Sequence, residues 1–143
     1  MSSRTEILAR ADRIVVKLGS GLLTDDRYRL ATDRIRDLGS QMLELRQAGH
    51  ELVLVSSGAV AAGMAELKLR QRPTRLPELQ ACAAVGQSKL MAAYETVFGQ
   101  ANVHVAQVLL THDDRLTMEG LSEVVAPTQF RRQPLDLLAL SRS

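Results

Sequence analysis

Apolar residues gather in three short runs, which occupy 14–18, 52–55 and 103–110. The runs are apolar nearly throughout rather than alternating, and they are rich in branched aliphatic residues, as is typical of strands buried on both faces. The first run stops at Gly19-Ser20-Gly21 and the second at Ser56-Ser57-Gly58. Glycine and serine at these points predict turns, so we expect two of the three buried strands to end in small polar turns.

Between these runs apolar residues recur at helical spacing, and the predicted helices span 31–48, 59–69 and 79–98. Thr32 is suited to cap the first helix, and Gly49 is suited to stop it. Gly99 follows the third helix as its expected stop. The segments 22–30 and 71–77 lack a sustained period and are expected to be loops.

The predicted order is strand, helix, strand, helix, helix, strand. Buried strands separated by helices indicate an α/β fold, with a mainly parallel sheet and helices on both faces. In such sheets, ligands bind beyond the carboxyl ends of the strands. Two of the strands deliver glycine and serine to that edge, so the sequence predicts a ligand site formed by residues 19–21 and 56–58.

The composition excludes several classes of protein. The 143 residues suit one small domain, and 45% of them are apolar, which supports a real core rather than disorder. A formal net charge of +2 is too balanced to indicate binding to nucleic acid or to a membrane surface. Cys82 is the single cysteine, so no disulfide can form within the chain, and residues 1–13 lack the apolar stretch of a signal peptide. We therefore expect a cytoplasmic location.

Lys17 stands near the end of an apolar strand, two residues before Gly19. A charged group there is costly unless it emerges at the edge of the sheet or meets a partner. Glycines after it would let backbone N–H groups approach a phosphate, whose charge Lys17 could neutralise. An ordinary lysine that extends to solvent beside a turn explains the same pattern equally well. The spacing matches neither the P-loop nor the dinucleotide-binding glycine motif.

The segment from Ser56 to Gly58 ends the second strand and opens a helix. Serine at this point can cap the helix, and the same helix N-terminus can hold a carboxylate or a phosphate. The small residues Gly58, Ala59 and Gly63 would let the first turn lie close to a ligand. Capping is the simpler explanation for this segment alone, but the neighbouring glycine-serine turn favours the ligand.

The remaining polar candidates are weaker. His50 is expected to be a solvated turn residue, and His104 to be a satisfied histidine in the core or at a sheet edge. His112, Asp113 and Asp114 follow the third strand, where a metal or a substrate amine could bind, but a solvated loop is the favoured explanation. Cys82 is expected to be a small core residue rather than a nucleophile. No Cys/His cluster indicates zinc.

Four motifs together resemble the glutamate 5-kinase family. They are VVKLGS at 15–20, VSSGAVAAG at 55–63, AAVGQS at 83–88 and QVLLT at 107–111. The first alone would suggest only the wider amino-acid kinase superfamily, whereas the third and fourth are more specific. The resemblance runs from about residue 12 to residue 114, in the order and at the approximate spacing of the family.

The resemblance implies an αβα sandwich around a mainly parallel sheet and a definite reaction. The family transfers the γ-phosphoryl group of ATP, with Mg²⁺, to the γ-carboxylate of L-glutamate, and the product feeds proline synthesis. The sequence leaves a homo-oligomer open, and no residue is assigned to a metal. By position, the resemblance implies that Lys17, Gly19 and Ser20 bind the ATP phosphates and that Ser57, Gly58 and Ala59 bind the substrate. Lys17 is also the expected catalytic residue.

The last part of the chain departs from the resemblance, which divides the chain into an amino-acid kinase segment (1–114) and a divergent tail (115–143). Our hypothesis is that the tail results from a frameshifted or otherwise foreign reading of the gene, and the alternative is a genuine divergent tail. The family continues with an Asp/Asn loop that completes the glutamate site and with a nucleotide-binding half. We find neither, so we expect the chain alone to be weakly active or inactive.

Three other functions stay open from the sequence. The chain could belong to another member of the superfamily, acting on aspartate, carbamate, acetylglutamate or a nucleoside monophosphate. It could be a non-catalytic module that pairs with a full-length kinase subunit through an exposed strand edge. It could also sense ATP or glutamate without turnover.

Overall fold

The computed structural model describes residues 4–110 and 137–142, with side chains described for residues 6–107. The helices are α1 (Arg4–Ala9), α2 (Ser20–Leu23), α3 (Thr32–Gln47), α4 (Ala59–Glu66) and α5 (Leu76–Gly99). The strands are β1 (Arg13–Leu18), β2 (Glu51–Ser56), β3 (Val105–Leu110) and β4 (Leu137–Arg142). No helix of the described residues is long and apolar enough to cross a bilayer.

The four strands form one parallel sheet in the order β1-β2-β4-β3. The register pairs Leu18 with Ser56, so β1 and β2 end side by side. The prediction of an α/β fold around a parallel sheet is therefore confirmed, and the three predicted strands all exist within two residues of their predicted bounds. The sheet positions the site because all strands point their carboxyl ends to the same edge.

Strand β4 was not predicted from the sequence, although it is central in the sheet. Its backbone pairs Leu138 with Val53 of β2 and Leu137 with Val105 of β3. A single apolar run of this length does not distinguish a strand from a helix by itself, so only the pairing partners identify it. Residues 111–136, which include His112, Asp113 and Asp114, lie outside the described residues. The proposed division at residue 114 and the frameshift hypothesis therefore stay predictions.

One face of the sheet carries the main hydrophobic core. Alternate residues of a strand point to opposite faces, and Val16 of β1 and Leu54 of β2 are paired on the face that meets α3 and α5. The aromatic rings of this aliphatic core, Tyr94 and Phe98, both come from α5 and are 2% exposed. The buried members of the core cluster are Leu18, Leu23, Ile35, Met42, Leu52, Leu54, Leu90, Tyr94, Phe98 and Val103.

The helix boundaries agree with the sequence in part. Gly49 has a backbone φ of +99°, which only glycine adopts without strain, so its prediction as the stop of α3 is confirmed. Thr32 is the first residue of α3 rather than its cap, and Ala31 takes the N-cap position without a side-chain hydrogen bond. Gly99 is the last residue of α5, and Gln100 follows it as the C-cap.

Helices α4 and α5 lie in backbone contact. A Cβ atom on Gly63 would overlap the carbonyl group of Cys82, and one on Gly86 would overlap the carbonyl oxygen of Ala59 and the amide nitrogen of Gly63. Both glycines are therefore places where only a hydrogen atom fits. This contact holds the first turn of α4 directly against α5.

Candidate active site

The two predicted turns meet at the carboxyl edge of the sheet. Because Leu18 is paired with Ser56, the residues that follow them, Gly19 and Ser57, begin the two turns side by side. The backbone N–H of Ser57 donates to the carbonyl oxygen of Leu18 at 3.3 Å, and the Ser57 hydroxyl donates to the same oxygen at 3.4 Å. Ser57 thus joins the ends of β1 and β2 while its side chain stays exposed at the edge.

The first turn is a short helix rather than a loop. Helix α2 begins directly after Gly19, which takes the N-cap position with no side-chain hydrogen bond. A Cβ atom at Gly19 or Gly21 would meet nothing within 4 Å, so the backbone here faces open space. Both features leave room for a ligand against the backbone of Gly19, half-buried Ser20 and Gly21.

Arg34, which the sequence analysis did not single out, holds the far end of α2. Its guanidinium Nη1 donates to the carbonyl oxygen of Gly21 at 3.0 Å and to that of Leu22 at 3.3 Å. A cation at these carbonyls satisfies acceptors that α2 leaves without partners. Arg34 is an exposed residue in the first turn of α3, and the helical period of the sequence does not indicate that it reaches α2.

The second turn leaves the N-terminus of α4 without a side-chain cap. Gly58 is the N-cap residue, and its carbonyl accepts the first helical bond, from Ala62, at 2.9 Å. The Ser57 hydroxyl is directed to Leu18 instead, so the alternative in which serine caps this helix does not hold. The N–H groups of the first turn, including that of Ala59, therefore have no partner within the helix and are suited to an anion.

Gly58 is buried against the other turn. A Cβ atom on it would lie 2.9 Å from Cδ1 of Leu23, the last residue of α2. The two turns are therefore packed together. Glycine at this position lets the turns approach closely enough to share one ligand.

Lys17 projects from the sheet beside these turns. It is paired with Val55, on the face opposite Val16 and Leu54, and its side chain is exposed. Among the described acidic residues, none lies within ion-pair distance of it. The ammonium is thus available to an anion at the edge of the sheet, and its role in binding phosphate stays a prediction.

A buried pair of hydroxyl groups lies directly under the second turn, and it was not predicted from the sequence. The Tyr94 hydroxyl of α5 donates to the Ser56 hydroxyl of β2 at 3.1 Å, and each residue is 2% exposed. Burial raises the pKa of Tyr94 to about 12, although the hydrogen bond with Ser56 acts in the opposite direction. The helical period identifies Tyr94 as a core residue, but its partner is 38 residues away in sequence.

The other candidate residues lie away from this edge or serve the core. His50 was predicted to be a solvated turn residue, but it is half-buried and its Nδ1 lies 2.7 Å from the carbonyl oxygen of Ala11. His104 is exposed and precedes β3 instead of lying within it. Cys82 is fully buried, as expected of a small core residue. Searching the described residues finds no group of three His, Cys, Asp or Glu side chains placed to hold a metal ion.

A surface groove of about 440 Å³ lies at the opposite end of the sheet. It is formed by the end of α3, the start of β2 and the connection from α5 to β3. Because ligands of parallel α/β sheets bind at the carboxyl edge, this groove does not coincide with the candidate site. Its lining residues are Leu43, Arg46, Gln47, Gly49, His50, Glu51, Ala101, Asn102 and Val103.

The sequence and the fold match a known family of kinases. Residues 12–137 match the amino acid kinase family, and the chain belongs to this family. Within it, the chain is similar to glutamate 5-kinases, which confirms the resemblance drawn from the motifs. It is 53% identical over 114 residues to glutamate 5-kinase of Hydrogenovibrio crunogenus, and that alignment covers 80% of this chain and 30% of the relative.

A second relative gives the same result. Glutamate 5-kinase of Acinetobacter baumannii is 52% identical over 107 residues, which is 75% of this chain and 28% of the relative. The chain therefore spans about 30% of the length of the curated relatives it matches.

Solved structures confirm the fold. Aspartate kinase from Synechocystis superposes with a TM-score of 0.51 at 14% identity, over 92% of this chain and 21% of that chain. Carbamate kinase from Giardia superposes with a TM-score of 0.53 at 13% identity, over 91% of this chain and 58% of that chain.

Proposed function

We propose that the chain carries the phosphate- and glutamate-binding turns of an ATP-dependent kinase that phosphorylates the γ-carboxylate of L-glutamate. One observation carries the proposal. The turn after β1 and the turn after β2 are hydrogen-bonded together through Ser57 and Leu18, and each leads into a helix whose first turn has no side-chain cap. The similarity to glutamate 5-kinases supports glutamate as the acceptor.

The arrangement suits the electrostatics of this reaction. A carboxylate and a triphosphate repel each other, so the site must hold two anions with positive potential. The exposed ammonium of Lys17 and the backbone N–H groups after Gly19 would bind the transferring phosphoryl group. The N-terminus of α4 and the Ser57 hydroxyl would bind glutamate, since the partial positive charge of a helix N-terminus favours a carboxylate.

The residues present fit the phosphates of ATP, because Gly19 and Gly21 leave open space and no described acidic group neutralises Lys17. Mg²⁺, when bound with ATP, would neutralise part of the phosphate charge, and it is commonly held through the phosphates with few protein ligands. In the reaction, an oxygen of the γ-carboxylate attacks the γ-phosphorus. The bond from that phosphorus to the bridging oxygen breaks, so the products are γ-glutamyl phosphate and ADP.

Binding and turnover can be measured separately on the whole chain. We expect calorimetric titration to show binding of ATP in the presence of Mg²⁺. Lys17→Gln should weaken this binding about tenfold or more, because one hydrogen bond to a charged group contributes roughly 1.5–3 kcal/mol. Lys68→Gln, which removes an exposed lysine elsewhere, is the matched control and should bind as the wild type does. Equal ATP affinity in the wild type and in Lys17→Gln would refute the role of Lys17.

The choice of acceptor is tested by formation of ADP with L-glutamate, L-aspartate, carbamate and N-acetyl-L-glutamate. Trapping the acyl phosphate with hydroxylamine identifies the phosphorylated carboxylate. ADP formation that depends on L-glutamate supports the proposal, and dependence on another acceptor contradicts it. Because the chain spans about 30% of its relatives, binding without turnover would indicate that the chain supplies the turns but not the whole catalytic site.

A further inference from the structure

We propose that Tyr94 is a positioning residue, whose hydroxyl acts through Ser56 to set the place of the Ser57-Gly58 turn in the candidate active site. The inference rests on the proposed function, since it concerns how that site is held. It assigns a role to a buried polar pair that neither the motifs nor the binding turns account for.

The geometry connects the pair directly to the turn. Ser56 is the last residue of β2, and Ser57 is the next residue along the chain. The 3.1 Å hydrogen bond from Tyr94 reaches the Ser56 side chain on the core face of the sheet. Ser57, in turn, bonds to the carbonyl oxygen of Leu18 through both its N–H and its hydroxyl. A displacement of Ser56 therefore shifts Ser57 and its two bonds.

The Tyr94 ring is a firm support for this contact. It belongs to the hydrophobic core, and its centroid lies 6.4 Å from that of Phe98, with the rings inclined by 42°. Tilted aromatic pairs at this separation are attractive. Because close packing leaves little freedom to a fully buried ring, the Tyr94 hydroxyl has a fixed position under the carboxyl end of β2.

The same helix also holds the other side of the turn. Gly86 of α5 lies against the backbone of Ala59, the first residue of α4. Gly86 precedes Tyr94 by eight residues, or about 12 Å of helix at 1.5 Å per residue. Helix α5 thus contacts the chain just before the Ser57-Gly58 turn and just after it. With this second contact, α5 fixes the position of the turn and of the N–H groups that follow it.

A purely structural role would give a different result from a positioning role. Replacing Tyr94 by phenylalanine keeps the ring in the core and removes only its hydrogen bond with Ser56. If the pair had only a structural role, the free energy of unfolding would fall, while the turn would keep its position and the chain its affinity for L-glutamate. If the pair positions the turn, ligand affinity and the environment of the turn amides change as well.

The experiment uses the whole ¹⁵N-labelled chain, with Tyr94→Phe, Ser56→Ala, the double variant and Tyr28→Phe as control. We expect the amide resonances of Ser57, Gly58 and Ala59 to move in both single variants, and L-glutamate to bind about tenfold more weakly, as for one misplaced hydrogen bond to a charged group. Because both changes remove the same bond, the double variant should bind no more weakly than either single variant. Urea unfolding verifies that each variant is folded.

The inference is overturned if Tyr94→Phe leaves these three amides unmoved and the glutamate dissociation constant within about twofold of the wild type, which corresponds to roughly 0.4 kcal/mol. It is also overturned if the two single changes are additive in the double variant. Failure of the wild type to bind L-glutamate contradicts the proposed function instead. In that case the amide shifts decide the positioning role: movement supports it and no movement overturns it.

Discussion

The backbone contact between α4 and α5 makes Gly86→Ala an informative perturbation. The added Cβ atom would overlap the carbonyl oxygen of Ala59 and the amide nitrogen of Gly63, and it would lie 2.9 Å from the carbonyl carbon of Ala59. Carbon atoms normally approach to about 3.5–4.0 Å, so this contact alone requires the helices to separate by roughly 1 Å, and the overlaps with the oxygen and the nitrogen require more. Every one of these obstacles is backbone, so no flexible side chain can rotate to make room.

The expected loss of stability is the difference between two terms. Overpacking a close-packed site costs about 1–3 kcal/mol, and the rigid obstacles here place Gly86→Ala at the upper end. Alanine in a helix interior is favoured over glycine by about 1 kcal/mol, which offsets part of that cost. The net expectation is a loss of about 2 kcal/mol in the free energy of unfolding.

Urea unfolding followed by circular dichroism measures this loss. With a slope of about 2 kcal/mol per molar urea for a small protein, the midpoint should fall by roughly 1 M. Gly99→Ala is the matched control because it changes the last residue of the same helix, where a Cβ atom would meet nothing within 4 Å. That variant should be as stable as the wild type or slightly more stable.

The reasoning fails if Gly86→Ala has the wild-type midpoint while Gly99→Ala behaves as expected. Such a result would mean that α4 and α5 are not in backbone contact at Gly86. An equal loss in both variants would show instead that the change acts through α5 as a whole and not through its contact with Ala59.

Two further predictions test features of the structure away from this contact. Because burial keeps the Tyr94 phenol neutral and raises its pKa from 10.0 to about 12, the native state holds that proton more tightly than the unfolded chain. This contribution to stability should therefore be complete below pH 10 and fall by about 2 kcal/mol as the pH rises to 12. Tyr94→Phe should remove this pH dependence and Tyr28→Phe should retain it, and an unchanged slope in Tyr94→Phe would contradict the assignment. Gly49→Ala should lower the free energy of unfolding by about 1 kcal/mol in urea titrations, because its φ of +99° strains any other residue, and a neutral or stabilising result would count against that backbone conformation.

Much of the fold could be predicted from the sequence because it depends on local pattern. The apolar runs of β1 and β2 and the periodic helices between them are recognisable without any knowledge of their partners. Continuous apolar strands separated by helices predict a parallel sheet, and a parallel sheet brings Gly19 and Ser57 to one edge. The topology predicted from the sequence therefore places the two turns proposed to bind phosphate and glutamate at the same edge of the sheet. The pairing of Leu18 with Ser56 agrees with that expectation.

Features that join distant segments were decided only by the tertiary structure. The position of β4 between β2 and β3 depends on which backbone groups it pairs with, and a short apolar run does not specify its neighbours. The Ser57 hydroxyl bonds to the carbonyl oxygen of Leu18, 39 positions away in sequence, instead of capping α4. The bond between Tyr94 and Ser56, and the contact of Gly86 with Ala59, likewise join residues 38 and 27 positions apart in the printed sequence. Local propensity specifies which segments form strands and helices, whereas close packing of the folded chain determines which polar groups and glycines meet.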